Sequence, residues 1–532
     1  MGALTQADVI TILIDILLTY TISLTLRVGL LSIAPVAFQG IGAYAFALLT
    51  LKAKMSIPLA VLLAALICLV IAALLSYPLG RVRGLYASIA TLAVVVIATG
   101  LESGFTFTGG SLGLAGVPHG DTRVALAIIV VIVVAAWFWL DRSELGRRLD
   151  AIRLDPSLAS TLSINVGLTK AAVLVASNTI AGLVGALYAH SFFFVSPDSF
   201  NFFVAVQISA FAIVAGATHW AAPLIAGGVL AVLSAEGQNY ANYTAIATGA
   251  LMVLVLVFSP EGLGGGLRRL TSRWRTSARG LRGKGTAAPP SGTDQAGTLV
   301  AVHGVTKSFG GVHALNDITF ELPARGVVGI IGPNGSGKST LLATISGLLE
   351  PDSGTVTIGG RELTGHDART FASAGVTRTF QQPKLILAMK VWENLIVGAR
   401  EHANAPSVRA VADAVGITDV LDAWPGELPA SQTRRIEVAR ALLREPKVLL
   451  MDEPAAGLTE AEARSFSELV TEIGKDRLVI LVEHNMNVIS AVAGRVIALV
   501  EGHLIADDRP EVVQAVPKVR TAYLGIVTEV TS

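Results

Sequence analysis

Apolar residues run through the first half of the chain in long stretches and through the second half in short ones. Nine runs, roughly 9–26, 29–51, 57–79, 85–101, 123–140, 168–194, 202–217, 221–235 and 243–258, approach or reach the length of about 17 to 25 residues that carries a helix across a bilayer. Three of them are short, which leaves room for a re-entrant segment in place of a span. From 264 to 298 the pattern stops, and "GGGLRRLTSRWRTSARGLRGKGTAAPPSGTDQAGT" is rich in Gly, Ser, Thr, Pro and Arg, with no acid before Asp294. Such a stretch has too little apolar surface to fold on, so it predicts a flexible basic tether. Beyond it, "GVVGIIG" precedes "KSTLLATISGLL", and "KVLLMDEP" precedes "EAEARSFSELVTEIG". Short buried strands alternating with helices predict an α/β domain with a largely parallel sheet. The chain therefore reads as multi-domain: a polytopic α-helical membrane domain over 1–263, a linker over 264–298 and an α/β domain over 299–532.

Composition agrees with that division. Hydrophobic residues make up 52% of the 532 residues, charged residues 15%, and mean hydropathy is +0.63. A formal net charge of +1 argues against nucleic acid as a partner. Cys68 is the only cysteine, so no intramolecular disulfide forms. The N-terminus has no basic segment, and Asp8 and Asp15 fall before or within the first apolar run, so no cleavable leader is expected. Arg81 and Arg83, then Arg142, Arg147, Arg148 and Arg153, then Arg268 to Lys284 mark three loops. Basic residues are retained on the cytoplasmic face, and nine spans put all three loops there with the N-terminus outside. Lys52 and Lys54 then lie on the opposite side.

"GPNGSGKST", from Gly332 to Thr340, has the spacing of a phosphate loop and stands in the right context, after the apolar run Val327–Ile331 and at the start of a helix. Asn334, Gly335, Ser336, Gly337, Lys338, Ser339 and Thr340 are the expected nucleotide contacts. Backbone N–H groups of the loop and the helix N-terminus suit phosphate, Lys338 suits the β and γ oxygens, and Ser339 suits Mg2+. Two further apolar strands end in Asp452–Glu453 and near His484. Ligands of open α/β sheets bind at the carboxyl ends of strands, so these groups are expected to converge on the loop. There Asp452 would hold the metal, Glu453 would act as general base, and His484 would contact the γ-phosphate.

Taken together, residues 299–526 resemble the nucleotide-binding subunit of an ATP-binding cassette (ABC) transporter. The likeness rests on the phosphate loop, "RTFQQ", "DEPAAGL" and the closing "AYLG", and it is strongest to ATPases serving branched-chain amino acid importers. It implies ATP and Mg2+ as cofactors, Phe309 stacked on adenine, and Gln381 as the Q-loop glutamine near metal and attacking water. The membrane half resembles the permease of the same importers through "AFQGIGAYAFALL", "RGLYASIATLA", "TGGSLGLAGVP", "LGRRLDAIRLDPSLASTLSINV", "FVSPDSFNF" and "FSPEGLGG". Within it, "DPSLASTLSIN" reads as a short amphipathic helix with Leu158 and Leu162 on one face. The resemblance makes the segment near 150–165 the coupling helix that docks on the ATPase, with Ser163 where the family usually has glycine. Gln39, Glu102, Asn178, His190 and Gln207 are polar within apolar runs, and either line a substrate route or bond helix to helix.

One motif departs from the pattern. The family's signature loop, usually Leu-Ser-Gly-Gly-Gln, reads here Leu428, Pro429, Ala430, Ser431, Gln432. Proline has neither hydroxyl nor N–H, and a side chain at 431 crowds a backbone that must approach phosphate. In this family the signature serves the ATP held by the opposite subunit. The resemblance therefore implies a second permease subunit, a second ABC ATPase with an intact signature, an extracytoplasmic solute-binding protein, and residence in the plasma membrane as a multi-pass protein with its ATPase domain cytoplasmic. The expected activity is ATP-driven import of branched-chain amino acids or related small amino acids and amides. The degenerate signature also admits a non-hydrolytic, nucleotide-sensing regulatory subunit.

Overall fold

A computed structural model describes residues 5–82, 85–162, 164–236, 262–272, 297–387, 389–399 and 405–524, with four positions between 249 and 257. Two compact units emerge: Met1–Pro156 with Asn165–Arg275, and Ser157–Ile164 with Thr276–Ser532.

The first unit is helical: α1 (Gln6–Leu26), α2 (Ala34–Leu51), α3 (Ile57–Arg81), α4 (Leu85–Gly104), α5 (Arg123–Arg142), α6 (Glu144–Leu154), then, after α7 (Pro156–Thr161), α8 (Val166–Ser191), α9 (Phe202–Ala215), α10 (Ala222–Glu236) and α11 (Gly262–Ser272). Two short strands, β1 (Leu114–Ala115) and β2 (Phe194–Val195), pair antiparallel. Among the described residues, seven helices are long and apolar enough to cross a membrane, with α10 shorter. In hydrocarbon a helix satisfies its own backbone polar groups, which is why these Leu-, Val- and Ala-rich runs are helical throughout. The ninth expected run, 243–258, lies almost wholly outside the described residues.

Helix α8 packs along α2 and α3. Close approach requires glycine: a Cβ on Gly42 of α2 would run into the Gly182 carbonyl of α8. At one end of the unit Arg27, only 2% exposed, pairs with Asp141 and sits 3.6 Å from Asp150. Arg268 of α11 lies 3.5 Å from the other Asp150 oxygen. Helix α11 thus occupies ground where the tether was expected to have begun at 264. Leu263 and Leu267 pack against the core, and Arg268 is buried beside Asp150. Most of the remaining tether, 273–296, is outside the described residues.

The second unit is an α/β domain. Strands β3 (Thr298–Phe309), β4 (Val312–Pro323), β6 (Ser353–Ile358) and β7 (Arg361–Glu362) form an antiparallel sheet ordered β4-β3-β6-β7. Strands β5 (Gly326–Ile331), β8 (Val376–Arg378), β9 (Val448–Asp452), β10 (Leu478–Val482), β11 (Arg495–Val500) and β12 (His503–Asp508) form the second sheet, ordered β12-β11-β5-β10-β9-β8. All pairs in it are parallel except β11–β12. Strands β9 and β10 are buried at every position, as continuous apolar runs covered on both faces must be. Residues Ser157–Ile164 belong to this unit. Leu158 and Leu162 are buried, and Arg444 donates to the Leu162 carbonyl at 2.8 Å. Ser163 lies outside the described residues.

Candidate functional site

Strand β5 runs between β10 and β11 and delivers the chain at Ile331 to a loop that ends at the helix Lys338–Ile345. Two glycines make the turn possible. Gly337, at φ +99°, is the helix cap, and a Cβ there would strike the Ala314 carbonyl; one on Gly332 would strike the Leu499 carbonyl and the Ser336 hydroxyl. With no side chain capping the helix, the N–H groups of its first turn are free to meet an anion. Lys338 is 6% exposed, and its Nζ donates to the carbonyls of Gly332 at 2.7 Å and Pro333 at 2.8 Å. Burial pulls its pKa down, while the carboxylates of Glu453 and Asp452 pull the other way. The register across β5, β10 and β9 puts Asp452 level with Ile330, at the base of the loop.

Asp452 ends β9 and is 4% exposed. Its Oδ2 accepts from Arg378 at 2.9 Å, and Oδ1 has no hydrogen-bond partner among the described residues. A buried carboxylate oxygen left open beside a phosphate loop suits a divalent cation. Among the described residues no group of three or more His, Cys, Asp or Glu could hold a metal alone. That donor set fits Mg2+, which takes one or two protein ligands and fills the rest of its shell with phosphate and water. The Ser336 hydroxyl is likewise buried without a partner.

Glu453 follows at φ +47°, a strained conformation for a residue with a side chain. Its N–H donates to the Val482 carbonyl at 2.9 Å, so β10 helps impose the bend. The side chain gathers two of the other expected residues: Gln381 Nε2 donates to Oε2 at 2.8 Å, and His484 Nε2 lies 2.6 Å from Oε1. Gln381, Glu453 and His484 therefore meet at the carboxyl ends of β9 and β10. Phe309 ends β3, half exposed, with Lys307 Nζ 5.8 Å from its ring centre.

Residues 428–432 form the entry to the helix Ala430–Leu442. Pro429 takes the cap position with φ −66° and contributes no side-chain hydrogen bond, where serine would satisfy a first-turn N–H. Pro429 and Ala430 are exposed. The Ser431 hydroxyl is engaged by Glu462, whose carboxylate it helps hold below the ordinary range together with the N–H and hydroxyl of Thr459. Thr459 itself caps the helix Glu460–Gly474.

Several contributors escaped the sequence reading. Arg378 neutralises Asp452 from the neighbouring strand. Glu483, 3% exposed, accepts the Ala455 N–H at 2.6 Å and so fastens the turn after Glu453; burial raises its pKa. Arg434 donates to the carbonyls of Phe380 and Gln381, each at 2.7 Å, while Glu437 accepts the Phe380 N–H at 3.0 Å. The signature helix thereby grips the backbone around Gln381. Glu483 could have been found from its place beside His484 at the end of a buried strand; Arg378 and Arg434 carry no local signal.

Residues 315–456 match the family described as ABC transporter, and residues 8–259 match the branched-chain amino acid transport system permease component. The high-affinity branched-chain amino acid transport ATP-binding protein LivG of Salmonella typhimurium is 32% identical over 249 residues, 43% of this chain and 98% of that protein. The chain belongs to the branched-chain amino acid family of ABC transporters. Within that family, the ATP-binding protein BraF of Pseudomonas aeruginosa is 31% identical over the same shares of both chains. A solved ATP-binding cassette of an ABC transporter in its ADP conformation is similar over 43% of this chain and all of its own, at 28% identity and a TM-score of 0.41. This ABC transporter chain carries permease and ATPase in one polypeptide, and the regulatory reading finds no support among its relatives.

Proposed function

We propose that the chain is a fused permease–ATPase subunit that drives import of branched-chain amino acids, or closely related small amino acids and amides, by hydrolysing ATP. The observation that carries this reading is the meeting of Gln381 and His484 on the Glu453 carboxylate, at the strand ends that are in register with the start of the phosphate loop.

In the proposed reaction, water attacks the γ-phosphorus, the bond from that phosphorus to the bridging oxygen breaks, and the water's proton passes to Glu453. Gln381 and His484 fix the orientation of that carboxylate from its two oxygens. Lys338 and the first-turn N–H groups bind the phosphates, with Asn334, Gly335, Ser336, Gly337 and Thr340 shaping the loop. Ser339 and Asp452, with Gln381, would hold Mg2+, which supplies positive charge against the phosphate oxygens. Phe309 offers an exposed ring for adenine.

Residues Ser157–Ile164, clustered with the ATPase, serve as the coupling helix in this reading. The unit containing α1 to α6 lies in the plasma membrane with the ATPase domain in the cytoplasm, joined by the basic linker. A second permease, a second ATPase and an extracytoplasmic solute-binding protein complete the importer. Because Pro429, Ala430 and Ser431 replace donors that act across the dimer, the altered turn weakens the site on the partner's phosphate loop and leaves the one on Lys338 to hydrolyse. Vesicles holding the assembled importer, loaded with Mg-ATP on the ATPase side, are expected to accumulate L-leucine; ATP turnover with no uptake of leucine or its analogues would overturn the reading.

A further inference from the structure

Helix α4 carries a carboxyl group into an apolar unit without providing anything to bond it. Glu102 is 6% exposed, and neither of its side-chain oxygens has a hydrogen-bond partner among the described residues. Thr108 Oγ1 donates to the Glu102 backbone carbonyl at 2.8 Å, tying down the end of α4. Opposite stands Gly40 of α2, where a Cβ would come within 2.5 Å of Glu102 Oε1 and 3.2 Å of Phe200. One turn further along α2 on the same face is Tyr44, 4% exposed, whose hydroxyl also lacks a partner among the described residues. The Ile33 N–H reaches Thr91 Oγ1 at 3.2 Å, which aligns the start of α2 with α4. Gly40 then stands about 10 Å, seven residues, above that level, and Glu102 faces it from two residues before the end of α4.

A buried ionisable group in a membrane helix is costly, and so is a buried acceptor with no donor. The covering surface here belongs to this chain, so a neighbouring subunit packed on the outside cannot supply the missing donor. A ligand entering between α2 and α4 can. Two carboxylate oxygens and a phenol hydroxyl, with an aromatic wall at Phe200, offer acceptors and an apolar face but no fixed positive charge.

We infer that Glu102 and Tyr44, where Gly40 lets the Glu102 carboxyl group lie against α2 beside Phe200, form a site in the permease for the primary ammonium group of the transported amino acid. This rests on the amino acid reading of the function. The site holds the solute by its charged end while the side chain meets Phe200, so recognition inside the membrane adds to whatever an external binding protein selects.

The test is equilibrium binding of radiolabelled L-leucine to the assembled importer without its external binding protein. Glu102→Gln keeps size and removes charge, and is expected to weaken binding by at least about thirtyfold, as loss of one partner of a buried charge pair does. Tyr44→Phe, which threatens the fold less, and Gly40→Ala, whose methyl would press on the Glu102 carboxyl group, are expected to weaken it in the same direction. Isopentylamine, which keeps the ammonium, should compete, and 4-methylpentanoate, which lacks it, should not. Unchanged affinity in all three variants, equal competition by 4-methylpentanoate, or no leucine retained by the unaltered importer would overturn the inference. Uptake of leucine by unaltered vesicles in the same preparation separates these failures from failure of the function itself.

Discussion

The phosphate loop and the signature turn belong to one domain and serve one reaction, yet they are built by opposite means. In the first, glycines at Gly332 and Gly337 strip side chains from places where backbone closes on backbone, and the helix that follows keeps its first N–H groups uncapped. In the second, Pro429 occupies the cap without offering a donor, and the Ser431 hydroxyl is tied to Glu462 of its own domain. One turn leaves its donors open to a nucleotide, and the other has lost them or spent them internally. In the proposed importer the two turns would act on different ATP molecules, so the contrast would sort hydrolysis between two sites rather than abolish it.

The largest effect expected is on the intact side. Lys338→Ala removes the buried ammonium from the loop and should lower ATP turnover of the assembled importer by about 10² to 10³, measured at saturating ATP. Retention of full turnover would mean that this loop is not the working one. A smaller change is expected from repairing the altered side. Pro429→Ser combined with Ser431→Gly restores a capping hydroxyl and frees the backbone, and should raise turnover at the partner's phosphate loop toward the factor of about 10² that one such donor supplies. It is read with Lys338→Ala in the background, so that only the partner's site contributes.

The smallest effect concerns pH. Glu483 has its pKa raised by burial, so the folded domain binds that proton more tightly than the unfolded chain does. Stability from this group is therefore present at low pH and lost as pH rises from the ordinary glutamate value through the raised one. Glu483→Gln should flatten that part of the stability–pH curve, measured by urea unfolding of the full chain in detergent at several pH values. An unaltered slope would assign it to other groups.

Much of the candidate nucleotide site was legible as an arrangement because its chemistry demands neighbours in sequence. A strand, a glycine turn and a lysine at a helix start must be contiguous, and Asp452 and Glu453 must end a strand. Arg378 was not legible, since its bond to Asp452 joins residues 74 apart through strand pairing that no local pattern encodes. Helix α11 was hidden for a similar reason. Its Gly- and Arg-rich composition reads as tether, and what holds it is Leu263 and Leu267 packed on the core together with Asp150, 118 residues earlier, receiving Arg268. In the membrane unit Glu102 stood out as polar in an apolar run, but the sequence did not distinguish a helix-to-helix bond from an acceptor with no bond at all.

The proposed asymmetry between two nucleotide sites is tested most directly by placing Glu→Gln at one general base at a time in the assembled importer. Glu453→Gln in this chain should abolish most ATP turnover, a loss of about 10² to 10⁴, while the same change at the matching glutamate of the partner ATPase should cost little. Turnover that survives Glu453→Gln and disappears only with the partner's substitution would contradict the account.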